Sequence, residues 1–387
     1  MKKKIAVLGS TGSIGKNLIK ILKKDKNNFE IVLLTAEKNY LVLFKQAKLF
    51  KVKNLIITDK NSYLKLKKKK FPHKVKIYSN FLSFEKIFKK KIDYSMSAIS
   101  GLEGLYPTIN LIKYTKLIAI ANKEAIICGW NLLSKEIKKN NTEFIPVDSE
   151  HFTIWYGLKD NRDIVDKIFL TASGGPFLNL SLNKFKRISL KDALVHPNWK
   201  MGKKITIDSS TMMNKVFEIM EAKKIFNIQY KNISILTHPK SYIHSIIKFK
   251  NGLIKIIAHD TSMKIPIFNS LYTEKNNRKI KTDEIDLEKL NNLNFKKVDF
   301  KKFPSVKILK NLPNKNSLFE TVIVSANDEL VNLFLLNKIK FTDISNKLIK
   351  FINRPEFIKY KLIQPKKVKE IIDLNKYVRL KINPKSI

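Results

Sequence analysis

The chain has 387 residues, 44% of them apolar, with 11 Gly and 12 Pro, and its 76 Lys and Arg against 33 Asp and Glu leave a formal charge of +43. That length exceeds one ordinary core, so two or three domains are expected, and the composition excludes a disordered chain, a collagen and a low-complexity linker protein. The single cysteine, Cys128, excludes a disulfide framework and a cysteine-built zinc finger.

Short apolar runs alternate with helical patterns through the first 150 residues. Strands are expected at Ile5–Leu8, Ile31–Leu34, Leu55–Thr58, Val75–Tyr78, Tyr94–Ala98, Leu117–Ala121 and Phe144–Val147. Helical spacing lies between several of them, as at Leu18, Ile21 and Leu22. Repeated strand–helix–strand units imply an α/β fold, here a Rossmann-like parallel sheet over residues 1–150 with helices on both faces. Residues 151–275 read as an α+β domain with strands at Ile168–Thr171, Ile205–Ile207, Ser234–Thr237, Tyr242–Phe249 and Leu253–Ala258, and a helix from about Thr211 to Phe226. Asn251-Gly252 between the last two strands is a hairpin signal. Residues 276–304 are polar, without a lasting period, and read as a linker. From Pro304 onward one-sided sets such as Ile344, Leu348, Ile349 and Ile352 predict a C-terminal helical bundle over 305–387.

The basic start, Met1 to Lys4, precedes an apolar run that stops at Leu8, too short for a secretory signal. No apolar stretch reaches the roughly 18 residues of a membrane span. A soluble, cytoplasmic protein is expected. Only Arg162, Arg187, Arg278, Arg354 and Arg379 are arginines, and lysine is spread through every segment, as on solvated faces. A nucleic-acid reader would use more Arg for bidentate and stacking contacts, so no nucleic-acid partner is expected. A polyanion-binding surface is the rival reading of the charge; it predicts tight, steeply salt-dependent binding to nucleic acid.

Gly9-Ser10-Thr11-Gly12-Ser13-Ile14-Gly15 follows the first strand and opens the first helix, the context in which glycines let a phosphate approach backbone N–H groups at a helix N-terminus. About 20 residues on, Glu37 and Lys38 stand side by side where a Rossmann domain meets the ribose. An acid there favours a free 2′-hydroxyl and a base a 2′-phosphate. The residues alone leave NAD and NADP open, with the reading leaning to Lys38 and NADP. Asn122-Lys123-Glu124 closes the strand Leu117–Ala121; it fits a substrate-holding lysine or a plain surface turn. In Val147-Asp148-Ser149-Glu150-His151, two carboxylates spaced i, i+2 could share a hard cation such as Mg²⁺ or Mn²⁺, and the same residues could simply cap a helix.

Thr171-Ala172-Ser173-Gly174-Gly175-Pro176-Phe177 offers a hydroxyl and glycine amides for a phosphate or oxyanion. His196-Pro197-Asn198-Trp199-Lys200-Met201-Gly202 fits a lid carrying a Trp, or a structural loop around a packed one. In Asp208-Ser209-Ser210-Thr211-Met212-Met213-Asn214-Lys215-Val216-Phe217-Glu218, Ser209, Asn214 and Lys215 form a donor set suited to a phosphate monoester. Glu218, three residues after Lys215 on a helix, could supply a third metal carboxylate. Together these pieces point to metal-assisted hydride transfer on a phosphorylated, sugar-like substrate.

These motifs, in this order and along nearly the whole chain, closely resemble the 1-deoxy-D-xylulose 5-phosphate reductoisomerase family. His238-Pro239-Lys240-Ser241-Tyr242-Ile243-His244-Ser245 and Phe341-Thr342-Asp343-Ile344 add to the likeness. The resemblance implies an NADPH-dependent enzyme that rearranges 1-deoxy-D-xylulose 5-phosphate and reduces the aldehyde to 2-C-methyl-D-erythritol 4-phosphate, on the non-mevalonate isoprenoid route. It implies Mg²⁺ or Mn²⁺, with Co²⁺ as a further option, on Asp148, Glu150 and Glu218. By the same likeness Ser173, Ser209, Asn214 and Lys215 hold the phosphate. Lys123, Ser149 and His196 contact the substrate body, and Trp199 closes the lid. Thr11, Gly12, Ser13, Ile14, Lys38, Asn39, Asn122, Glu124 and Gly202 would contact the nucleotide, and a homodimer is implied.

Three segments depart from the family pattern. Glu37 stands where a small residue is usual, Thr261-Ser262-Met263-Lys264-Ile265-Pro266 where Pro-Asp-Met is expected, and Ser325-Ala326-Asn327-Asp328-Glu329 for an Ala-Ala-Asn-Glu pattern. A carboxylate at 37 is repulsive to a 2′-phosphate, so a reduced NADP affinity is expected; the last two bear on packing or the interface more than on chemistry. A simple NAD(P)-dependent dehydrogenase without the rearrangement is the rival enzyme reading; it would share the glycine loop but would not require the Ser/Asn/Lys phosphate set.

Overall fold

A computed structural model of the chain describes residues 2–159, 163–199, 201–273 and 278–382; Lys200 of the Trp-bearing loop and the expected domain boundary at 275–276 lie outside the described residues. Two compact units form: Met1–Ala125, Leu132–Asp148 and Met263–Ile280 make one, and Ile126–Asn131, Ser149–Ser262 and Lys281–Ile387 the other.

The first unit is built on β1 (Lys3–Leu8), β2 (Phe29–Ala36), β3 (Asn54–Ile57), β4 (Lys76–Tyr78), β5 (Ile92–Ser97), β6 (Thr115–Ile120) and β7 (Glu143–Pro146). All seven expected strands are present. They run parallel in the order β4-β3-β2-β1-β5-β6-β7. Ile5, Ala6, Val7 and Leu8 are wholly buried. A strand covered on both faces needs a continuous apolar run rather than an alternating one, and each large side chain so buried contributes about 1.5–3 kcal/mol. The order reverses at β1, which opens a crevice outside the carboxyl ends of β1 and β5.

The helix Ser13–Lys24 buries Leu18, Ile19 and Leu22. The helix Lys264–Leu271 packs against it, and Ser270 Oγ meets the Tyr94 hydroxyl at 2.9 Å. Met263–Ile280 therefore goes with the nucleotide sheet, although it lies beyond the second group of strands in sequence.

The second unit carries β8 (Val165–Ala172), β9 (Ile233–Thr237), β10 (Ile243–Phe249), β11 (Ile254–Ala258) and β12 (Lys296–Lys297), in the order β11-β10-β8-β9-β12. Only the β8–β9 pair is parallel. The Asn251-Gly252 hairpin forms, with Gly252 at φ +90°, a backbone region that favours glycine. β12 and a short helix, Leu287–Asn291, fall in the segment expected to be a plain linker.

One expected strand is wrong. Ile205–Ile207 belongs to a helix, Lys203–Ser210. The β-branched alternation suggested a strand, but Thr206 Oγ1 donates to the Gly202 carbonyl at 3.0 Å and Lys204 reaches Asp208 at 3.2 Å, both i, i+4 contacts of a helix. The next helix starts at Met213 rather than Thr211, because Met212 sits at φ +61° and breaks the chain between the two.

The C-terminal helix Phe319–Leu335 packs against both Phe341–Ile352 and Val368–Lys381 within this same unit. A buried ion pair, Lys224 Nζ to Glu320 Oε1 at 2.9 Å, ties the helix Met213–Phe226 to the first of them. Among the described residues no helix is long and apolar enough to cross a membrane.

Candidate active site

The glycine loop sits at the strand-order reversal. Gly9 has φ +76°, and a Cβ on it would stand 2.6 Å from the Ala98 carbonyl oxygen; one on Gly15 would collide with the Gly9 carbonyl. The loop is therefore pressed against its own backbone and the end of β5. Gly12 caps the helix Ser13–Lys24 without a side chain, so the first-turn N–H groups lack a side-chain acceptor and suit an anion. Thr11, Gly12, Ser13 and Ile14 lie at the surface there. Beneath them Ser10 is clamped. Its N–H donates to the Thr35 carbonyl at 2.9 Å, its hydroxyl to Gln46 Oε1 at 2.7 Å, and Gln46 Nε2 donates to its carbonyl at 2.9 Å.

At the end of β2, Lys38 Nζ lies 3.2 Å from Glu37 Oε1, both side chains largely exposed. Asn39 caps the helix Tyr40–Phe50, accepting from the Val42 N–H at 3.2 Å. Asn122 likewise caps the helix Lys123–Lys139, accepting from the Ala125 N–H at 2.8 Å, and donates to the carbonyls of Ile99 and Gly101. Lys123 and Glu124 are buried, and Lys123 Nζ pairs with Asp148 Oδ2 at 3.0 Å. Asn39 and Asn122 thus each cap a helix that follows a strand of this sheet.

In the second unit, Ser149 and Glu150 open the helix Ser149–Leu158, and the Ser149 hydroxyl donates to Glu150 Oε2 at 2.6 Å. The helix Met213–Phe226 turns Asn214, Lys215 and Glu218 toward Glu150. Lys215 Nζ donates to Glu150 Oε1 at 2.6 Å and also to Glu218, whose other oxygen accepts from Asn214 Nδ2. Burial alone pulls the Lys215 ammonium down, but the two carboxylates outweigh it and hold its pKa above the ordinary lysine value. Carboxylate oxygens of Glu150 and Glu218 lie within 4.8 Å of each other. Two hard-oxygen donors, Glu218 buried and Glu150 half-buried, converging on one positive charge fit Mg²⁺ or Mn²⁺.

Sequence reasoning missed the support behind them. His151 Nε2 lies 2.8 Å from the Glu218 carbonyl oxygen, and its Nδ1 lies 3.5 Å from Glu221 Oε2. The signal was present: His151 ends the Val147–His151 motif, and Glu221 is one helical turn beyond Glu218.

A second cluster joins Ser173, His196 and Ser209. His196 Nε2 is 3.3 Å from Ser173 Oγ and 3.0 Å from Ser209 Oγ. His196 Nδ1 accepts from the N–H groups of Asn198 and Trp199, at 3.1 and 3.0 Å, so the ring proton belongs on Nε2. Burial pushes the His196 pKa down to about 4, which keeps the imidazole neutral. Gly174 at φ +82° and Gly175 at φ +64° turn the chain sharply here, and the Gly175 N–H donates to Ser173 Oγ. The Trp199 ring lies 6.2 Å from that of His244. Asn198, also overlooked from the sequence, fastens this loop by donating to the Pro239 carbonyl at 2.7 Å and Ser241 Oγ at 2.9 Å. Gly202 caps the helix Lys203–Ser210, which carries Ser209.

A doubly wound parallel sheet with a glycine loop at its order reversal, in a chain that also holds two carboxylates brought close together and a Ser–His–Ser cluster, has the plan of a metal-assisted, nucleotide-dependent oxidoreductase. Residues 5–129 match the family model 1-deoxy-D-xylulose 5-phosphate reductoisomerase, residues 144–226 that family's C-terminal domain model, and residues 260–381 the DXP reductoisomerase C-terminal domain. The 1-deoxy-D-xylulose 5-phosphate reductoisomerase of Pelagibacter ubique (strain HTCC1062) is 62% identical over 100% of both chains. That of Wolbachia pipientis wMel is 41% identical over 88% of each. The Zymomonas mobilis enzyme solved with NADPH superposes with a TM-score of 0.86 at 29% identity, covering 98% of both chains. A DOX-P reductoisomerase solved with NADPH, fosmidomycin and magnesium gives 0.87 at 29% identity, covering 98% of this chain and 97% of that one. This chain belongs to the 1-deoxy-D-xylulose 5-phosphate reductoisomerase family.

Proposed function

We propose that this protein converts 1-deoxy-D-xylulose 5-phosphate to 2-C-methyl-D-erythritol 4-phosphate with NADPH and a divalent metal ion, a step toward isoprenoid precursors. The observation that carries the reading is the hydrogen-bonded convergence of Glu150, Asn214, Lys215 and Glu218 in a member of this family. The relative solved with NADPH, fosmidomycin and magnesium supports it.

Asp148, Glu150 and Glu218 would hold the metal ion, which supplies Lewis-acid stabilisation of charge on adjacent substrate oxygens, while NADPH supplies the hydride. The residues of the chain do the rest. Thr11, Gly12, Ser13 and Ile14 present the helix N-terminus to the pyrophosphate, and Lys38 and Asn39 face the ribose. Asn122, Glu124 and Gly202 complete the nucleotide side. Lys123 and Ser149 orient the substrate body. Ser173, Ser209, Asn214 and Lys215 bind its phosphate, and neutral His196, with its proton on Nε2, donates within that cluster. Trp199 excludes water when its loop closes.

The three-domain division at 150, 275 and 304 and a cytoplasmic location, both expected from the sequence, and a homodimer, implied by the family resemblance, complete the proposal. The test is NADPH oxidation with 1-deoxy-D-xylulose 5-phosphate, with and without Mg²⁺ or Mn²⁺. Metal-dependent oxidation supports the reading. Reduction of the aldehyde intermediate alone, with none of the ketose, would instead make this a plain dehydrogenase.

A further inference from the structure

The carboxyl end of β2 is where a doubly wound sheet meets the adenosine ribose of a dinucleotide. Two side-chain chemistries oppose each other at that place. A carboxylate accepts hydrogen bonds from a free 2′-hydroxyl and repels a 2′-phosphate; an ammonium attracts a 2′-phosphate. This chain holds both, on consecutive residues. β2 ends at Ala36, and Glu37 Oε1 is paired with Lys38 Nζ at 3.2 Å.

A second acid stands close by. Asp59 caps the helix Lys60–Lys67 by accepting from the Ser62 N–H at 2.8 Å, and its own N–H donates to the Glu37 carbonyl at 3.2 Å. Its carboxyl is held below the usual range chiefly by Ser62, and in part by the charges of Lys38 and Lys65. The Lys38 ammonium is thus within electrostatic reach of two carboxylates, which compete with a phosphate for it.

We propose that Glu37 is a specificity-determining residue that narrows the preference for NADPH over NADH, by competing with the 2′-phosphate for Lys38 and by offering an acceptor to a free 2′-hydroxyl. The inference rests on the reading of this loop as the ribose subsite. Glu37 and Lys38 are 69% and 74% exposed, so water and salt screen the effect and its scale is several-fold rather than many orders.

Binding is the direct readout. NADPH and NADH are titrated into the full-length protein without substrate or metal, following nicotinamide fluorescence, for wild type, Glu37→Gln, Glu37→Asp and Lys38→Ala. Glu37→Gln should raise the NADPH-to-NADH affinity ratio several-fold. Glu37→Asp, which keeps the charge, should stay near wild type, and Lys38→Ala should lower the ratio. A ratio that is unchanged or lowered in Glu37→Gln, with Lys38→Ala still losing NADPH selectively, overturns the role of Glu37 and leaves the ribose subsite standing. No change in either variant overturns the subsite and the proposal together.

Discussion

Asn327 Nδ2 donates to Asp208 Oδ1 at 2.7 Å, a contact between buried side chains 119 residues apart in sequence. Lys204 extends it, lying 3.2 Å from Asp208 Oδ2 and 2.9 Å from Asp328 Oδ1, and Arg379 reaches Asp328 at 3.0 Å. The network anchors the helix Lys203–Ser210, and with it Ser209, to the C-terminal helices. The unusual segment Ser325–Glu329 thus bears on packing, through residues that hold the anion cluster in place. Asn327→Leu should cost about 1–3 kcal/mol, since Asp208 loses a buried donor. It should also raise KM for the phosphorylated substrate more than KM for NADPH. Urea unfolding and the two KM values check both halves.

Lys215 pairs with two acids, Glu218, which is buried, and Glu150, which is half-buried. Lys215→Met leaves Glu150 and Glu218 without that charge and should destabilise the protein by about 3–5 kcal/mol in the absence of metal. Added Mg²⁺ should restore more stability to the variant than it adds to wild type, because it binds the folded state where the acids now lack their ammonium. Calorimetric melts with and without Mg²⁺ measure the difference. An equal metal-induced shift in both proteins would place the ion away from these acids.

Gln46 reaches the glycine loop from the helix Tyr40–Phe50 through two hydrogen bonds to Ser10. Gln46→Leu removes both and should cost about 1–3 kcal/mol in stability. It should weaken NADPH binding while leaving KM for the sugar phosphate nearly unchanged, as nucleotide titration and steady-state kinetics can show.

His196 should carry no proton through the neutral range. Its folded pKa, about 4, lies below the ordinary value of 6.5 because burial disfavours the charged ring. Between those two values the unfolded chain binds a proton that the folded chain refuses, so this group's effect on stability is absent above pH 6.5 and grows more unfavourable as pH falls toward 4. The His196 ring resonance should titrate near pH 4 by NMR, and His196→Gln should lose less stability than wild type between pH 6.5 and 4. A midpoint near 6.5 would remove the neutral-imidazole role.

Much of the first sheet was legible because its strands are buried on both faces. Runs such as Ile5–Leu8 have one favourable fate, and the glycine loop follows the first of them directly. The second unit was harder. Ile205-Thr206-Ile207 carries a strand-like alternation, yet Gly202 starts a helix there and Lys204 and Asp208 close one turn of it. Residues 263–275 read as the end of the second group of strands, and packing of the helix Lys264–Leu271 on Ser13–Lys24 draws them to the first unit instead.

The residues alone determined which chemistries were present: a glycine loop behind a strand, two acids spaced i, i+2, and a Ser/Asn/Lys donor set with an acid one turn further on. Those signals are local, set by strand ends, helix caps and helical spacing, and they survive whatever the rest of the chain does. Only the tertiary structure decided which side chains share a site. That Lys215 lies between Glu150 and Glu218, that His196 spans Ser173 and Ser209, and that Gln46 holds Ser10 depend on elements meeting across long stretches of chain. The burial of each core fixes those meetings, and no short window of sequence encodes them.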